Sequence, residues 1–169
     1  MDERKEWHQF VPSYCMILVK FIVTFFFIGD VKIAPGSIAS FATVLLFYFF
    51  ASYLDVFYFI VIISAITMLS FFTVRAYTAD LVEKDKSEIV IDEVVGQFIA
   101  LLPLLIFAEN TSPYFFMCII SLLFFRFFDI VKPYPINKFD SMNSAFGVIF
   151  DDILAGIFSA LFLILALSF

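Results

Sequence analysis

Long apolar runs broken at short polar intervals organise this chain. Residues 38–54 and 56–74 are two full apolar runs separated only by Asp55, a pattern that predicts a helical hairpin. Residues 94–108 form a further run, followed by the polar turn Glu109-Asn110-Thr111-Ser112-Pro113 and a return over 114–125. The last run is 153–169. Residues 15–28 are apolar but contain Lys20, and they fall short of the roughly 20 residues a membrane span requires. The glycines, proline and charges of 29–37 (GDVKIAPGS) predict a loop. Residues 75–93 are the most charged stretch, with Lys84-Asp85-Lys86-Ser87 at its centre.

Five runs of this kind predict an all-α integral membrane protein with about five membrane helices, within a range of four to six. The 15–28 segment adds an N-terminal re-entrant or interfacial helix. One membrane-embedded domain over 1–169 is expected, preceded by a polar tail at 1–13. If 15–28 dips and returns, all ten Lys and Arg residues fall on one side of the membrane. The other side keeps Asp55 and Glu109. Basic residues concentrate on the cytoplasmic side, so the charged face is expected to be cytoplasmic.

Composition agrees: 63% of residues are hydrophobic, 27 are Phe, and the mean hydropathy is +1.05. Soluble domains hold about 45–50% apolar residues. A net charge of -6 offers no basic stripe for phosphate backbones, so nucleic acid is not an expected partner. Cys15 and Cys118 lie in apolar surroundings and read as packing residues. The N-terminal MDERKEWHQFVPSY is acidic as well as basic, and no small-residue cleavage site follows it. A removable signal peptide is not expected. His8, the single histidine, lies in that tail.

Charge inside apolar surroundings is where chemistry is expected. Between 126 and 152 stand Arg126, Asp129, Lys132, Lys138, Asp140, Asp151 and Asp152. The three-residue spacing of Arg126, Asp129 and Lys132 lets them share one side of a helix, which Pro133 and Pro135 then stop. Asp92 and Glu93 open another membrane helix. Asp92/Gly96 and Asp152/Gly156 repeat one four-residue spacing, predicting two closely packed helices with their acids at one level. Asp151 and Asp152 stand at the mouth of the last run. Side chains of successive helical residues point about 100° apart, so the two converge on one ion only if Asp151 lies in the non-helical entry and Asp152 in the first turn. Oxygen ligands in this number suit Mg²⁺ paired with a substrate phosphate. Candidate ligands are Asp92, Glu93, Asp129, Asp151 and Asp152, with orientation of an attacking water as the alternative role for one of them. Arg126 and Lys132 are candidate phosphate contacts, and Ser37, after Pro35-Gly36, is a candidate anion donor or a plain turn residue.

Other phosphate chemistries lack their residues. No Cys has an Arg six positions on, no Asp-x-Asp exists, and a single histidine leaves no histidine nucleophile. Direct attack by a metal-activated water remains. A small ion or proton transporter would hold its acids near the midplane, whereas these stand at run boundaries. An inactive membrane scaffold of the same shape is the other alternative.

Together, APGS at 34–37, IVIDEVVG at 89–96, FRFFDIVKPYPI at 125–136 and FDDILAG at 150–156 resemble the phosphatidylglycerophosphatase A family, across about residues 20–165. The resemblance implies an Mg²⁺-dependent lipid phosphatase of the bacterial inner membrane. Such an enzyme converts phosphatidylglycerophosphate to phosphatidylglycerol on the cytoplasmic face, for phospholipid biosynthesis. It carries over to Asp92, Glu93, Arg126, Asp129, Lys132, Asp151 and Asp152. Residues 140–147, DSMNSAFG, depart from the family pattern, which has an Arg just after the Asp and a Gly-Gly pair, and the stretch is one residue shorter.

Overall fold

The computed structural model describes residues 13–79, 86–107 and 114–168. The polar tail, the expected turn at 109–113 and Lys84 with its neighbours at 80–85 lie outside the described residues. The described residues are helical without strands: α1 (Ser13–Val23), α2 (Pro35–Phe50), α3 (Val56–Tyr77), α4 (Ile91–Phe107), α5 (Tyr114–Val131), α6 (Ile136–Asp140) and α7 (Ala145–Leu167). Short 3₁₀ turns at Ile28–Asp30 and Ala51–Tyr53 complete them. The protein is an all-α membrane protein.

Among the described residues four helical stretches are long and apolar enough to cross a bilayer: Pro35–Tyr53, Val56–Tyr77, Tyr114–Val131 and Ala145–Leu167. α1, with 11 residues, rises only about 16 Å at 1.5 Å per residue and falls short of a ~30 Å hydrocarbon core. After it the chain turns through Phe25, Phe26 and Phe27, all with left-handed φ (45°, 66° at the extremes). The Val90 amide then donates to the Val23 carbonyl (3.1 Å). Gly29 leaves no room for a Cβ against the Glu88 carbonyl. The segment after α1 is thereby fastened to the segment before α4.

Two boundaries differ from the sequence expectation. Pro35-Gly36-Ser37 is the first turn of α2 rather than loop, because proline suits the first helical position, where its missing amide costs nothing. α7 begins at Ala145, where the Ser144 hydroxyl accepts from the Gly147 amide (3.1 Å). Asp151 and Asp152 are therefore two turns inside α7, not at its mouth.

α4 is the central helix, with ten of its 17 residues buried. It packs closely on α7. A Cβ on Gly96 would stand 2.6 Å from the Asp152 carbonyl oxygen, and one on Gly156 would collide with the Gly96 carbonyl. Only glycine lets two backbones meet this way. The expected close approach of these two helices is the arrangement observed.

Candidate active site

The α4–α7 contact sets the acids of two helices side by side. One oxygen from each of Asp92, Glu93 and Asp152 lies within 4.8 Å of the other two, at a point where Asp92 and Asp152 are 5% exposed. Asp92 and Glu93 occupy the first turn of α4, where the free amides favour negative charge; the Glu93 amide donates to Asp92 Oδ1 (3.0 Å). Gly36, in the first turn of α2, is packed against the Glu93 carboxylate, and a Cβ there would force that carboxylate to shift.

Arg126 reaches the same group from α5. Its Nη1 lies 2.6 Å from Asp129 Oδ2, one turn on, and 3.8 Å from Glu93 Oε1. Asp129 is an electrostatic neighbour of both Glu93 and Asp152. The Arg126 Nε, Glu93 Oε2 and Asp151 Oδ1 atoms are buried without a hydrogen-bond partner. Buried polar groups are ordinarily satisfied, so such a cluster points to something that binds among them.

Lys132 follows the last residue of α5 with φ 46°. Helices usually place glycine at such a position, and a side chain there costs about 1–2 kcal/mol. Its amide closes the helix on the Phe128 carbonyl (2.9 Å). Its ammonium contacts Asp140 and, at 2.7 Å, Asp151 Oδ2. Burial alone would lower its pKa, but hydrogen bonds from its ammonium to these two carboxylates prevail and raise it well above the ordinary lysine range. The Phe139 and Phe150 rings, 4.7 Å apart, tie α6 to α7 and hold Asp140 in reach.

All these groups line one cavity of about 320 Å³. Six acids, Asp92, Glu93, Asp129, Asp140, Asp151 and Asp152, face three bases, Lys86, Arg126 and Lys132. The excess of carboxylate, the all-oxygen donor set and the orphaned Glu93 oxygen fit a hard divalent cation.

A family model described as phosphatidylglycerophosphatase A matches residues 21–167. The chain belongs to the phosphatidylglycerophosphatase A family. Its relatives include "Phosphatidylglycerophosphatase A" of Haemophilus influenzae, 34% identical over 134 residues (79% of this chain, 78% of that one). The protein of the same name in Escherichia coli is 29% identical over 133 residues, 78% of this chain and 73% of its own. A "Putative phosphatidylinositol-3-phosphatase" of Bacteroides thetaiotaomicron is 39% identical over 85 residues, half of each chain. No solved structure matches.

Within this phosphatase fold the candidate residues divide. Asp92, Glu93 and Asp152 converge, while Arg126, Asp129, Lys132 and Asp151 line the same cavity around them. Lys132 does not share a helical face with Arg126 and Asp129; the left-handed turn carries it to α7. Asp151 and Asp152 do not point at one place. On a regular helix they diverge, so Asp152 joins the carboxylate trio and Asp151 takes Lys132. Ser37 lies in the first turn of α2, outside the cavity lining; its neighbour Gly36 makes the contact with Glu93. Lys86, Ser87 and Asp140 also line the cavity, beyond the residues the sequence marks as candidates. Lys86 and Ser87 sit in the most charged stretch of the sequence, and only the fold brings them to the acids.

Proposed function

We propose that this protein is an Mg²⁺-dependent lipid phosphatase that hydrolyses phosphatidylglycerophosphate to phosphatidylglycerol and phosphate, working at the cytoplasmic face of a bacterial inner membrane. The observation that carries the reading is the convergence of Asp92, Glu93 and Asp152 beside two cationic side chains in one cavity at one end of the bundle. Phosphatase chemistry on a lipid follows from the family; the metal and the headgroup are the proposed refinements. Asp92, Glu93 and Asp152 would hold the cation. When bound, Mg²⁺ supplies positive charge against the phosphoryl oxygens and activates water for attack.

The remaining residues have roles set by their surroundings. Arg126, kept in place by Asp129, presents a planar fork to phosphate oxygens, and Lys132 presents a point charge. Both are pre-positioned by carboxylates, so little reorganisation accompanies substrate entry. Asp151 has one oxygen held by Lys132 and the other buried and free. The free oxygen is placed to orient the attacking water and accept its proton. The acyl chains stay in the bilayer while the headgroup enters from the membrane surface.

Phosphate release by purified protein from phosphatidylglycerophosphate, phosphatidic acid and phosphatidylinositol 3-phosphate, each in mixed micelles, tests the substrate. The expected order puts phosphatidylglycerophosphate first by at least about tenfold in kcat/KM, the scale of one well-made polar contact. Preference for the inositol lipid, which the Bacteroides relative's name specifies, would replace the headgroup assignment. Absence of release from all three would sink the phosphatase reading.

A further inference from the structure

Three cations line the cavity, and two of them are already engaged. Arg126 is paired with Asp129 and Glu93, and Lys132 with Asp140 and Asp151. Lys86 is different: no carboxylate among the described residues lies within ion-pairing distance of it, and its side chain is exposed at the cavity's rim. A lone exposed lysine is ordinarily just solvated. This one is carried on a closed turn that three contacts fasten to the rest of the fold. The Ile89 amide donates to the Lys86 carbonyl (2.8 Å), and the Val90 amide donates to the Val23 carbonyl (3.1 Å). The Tyr77 hydroxyl donates to Glu88 Oε1 (2.8 Å), and Gly29 is pressed against the Glu88 carbonyl. A fixed backbone holding an uncommitted cation over an acidic cavity is a place for an anion to arrive.

Which anion follows from depth. Asp92 and Asp152 are buried on the cavity floor, so the phosphoryl group that reacts must descend to them, away from the rim. A lipid of the proposed class carries a second phosphate, the phosphodiester joining its headgroup to diacylglycerol, and this group stays nearer the membrane surface. We propose that Lys86, with the adjacent Ser87 hydroxyl, binds the phosphodiester of the substrate lipid and so selects for a lipid with two phosphates over a simple phosphomonoester. This rests on the reading of the site as a phosphatidylglycerophosphate phosphatase. It makes Lys86 a specificity residue that grips substrate and product alike, contributing to binding more than to the chemical step.

The test uses full-length protein in neutral mixed micelles, as wild type, Lys86→Ala and Lys86→Arg. Measured are kcat and KM for phosphatidylglycerophosphate, inhibition by phosphatidylglycerol and by inorganic phosphate, and equilibrium binding of dihexanoyl phosphatidylglycerol. For Lys86→Ala, KM should rise and product inhibition and product binding should weaken, each on the order of tenfold. Its kcat should stay within about twofold and inhibition by inorganic phosphate should not change, because uniform binding is what is lost. Lys86→Arg should restore the wild-type values. Unchanged KM and unchanged phosphatidylglycerol binding would overturn the proposal. So would a fall in kcat with weaker inorganic phosphate inhibition, which would put Lys86 on the reacting phosphoryl group. If wild-type protein releases no phosphate, the hydrolysis reading fails by itself; the binding comparison still decides whether Lys86 holds a phosphodiester.

Discussion

α3 and α4 are both apolar helices containing polar residues, and they handle them in opposite ways. In α3, Ser64, Thr67, Ser70 and Thr73 each return their hydroxyl proton to a carbonyl four residues earlier in the same helix, at 2.8 Å. Nothing outside the helix is needed, and only four of its 22 residues are buried. In α4, Asp92, Glu93 and Gln97 look outward to α2, α5 and α7. Gln97 donates across to Ser121 (3.3 Å), while its own carbonyl oxygen and Glu93 Oε2 find no partner. Hydroxyls that close on their own backbone are compatible with lipid. Carboxylates cannot close that way, so they require neighbours, a cation or a substrate. Polarity that a helix cannot satisfy by itself is what separates the functional helix from the structural one.

The contrast can be broken at four points of decreasing size. Asp152→Asn removes one charge from the trio at constant shape, and phosphate release should fall on the order of a thousandfold, the loss typical of a group that stabilises transition-state charge. Its melting temperature without Mg²⁺ should hold or rise, since like-charge repulsion is relieved. Lys132→Ala frees Asp151 from its partner and removes a phosphate contact; a drop of about ten- to a hundredfold is expected in the same assay. Gly156→Ala forces α7 off the Gly96 carbonyl. Backbone cannot yield cheaply, so thermal unfolding should register about 1–3 kcal/mol of destabilisation, with activity falling alongside. In α3, Ser64→Ala and Thr67→Val should change stability by no more than about 0.5 kcal/mol and leave turnover unchanged. Loss of activity in the α3 variants would erase the distinction between the helices.

Much of this is legible in the sequence because charge is so sparse in it. Asp92, Glu93, Arg126, Asp129, Lys132, Asp151 and Asp152 stand out against apolar runs, and the Asp92/Gly96 and Asp152/Gly156 spacing announces the helix crossing that brings the acids together. Helix starts are harder to read. The cap at Ser144 lies in a segment that looks like loop, so α7 begins well before its apolar run, and that displacement is why Asp151 and Asp152 face different partners. Lys132 departs from the expected shared face for a related reason: a lysine in left-handed backbone has no sequence signal where glycine is the usual choice. Lys86 reaches the cavity on a returning loop and Asp140 on the short helix α6 packed against α7, tertiary placements that residue spacing does not encode. Within 140–147, Asp140 pairs with Lys132 and Ser144 caps α7.

The most direct measurement is phosphate release from phosphatidylglycerophosphate by the purified protein as free Mg²⁺ is titrated against a chelator. If Asp92, Glu93 and Asp152 hold the catalytic cation, turnover should vanish in excess chelator and return on adding Mg²⁺, and the Asp152→Asn protein should not recover at any Mg²⁺ concentration. Undiminished turnover in excess chelator would contradict the metal centre at its root.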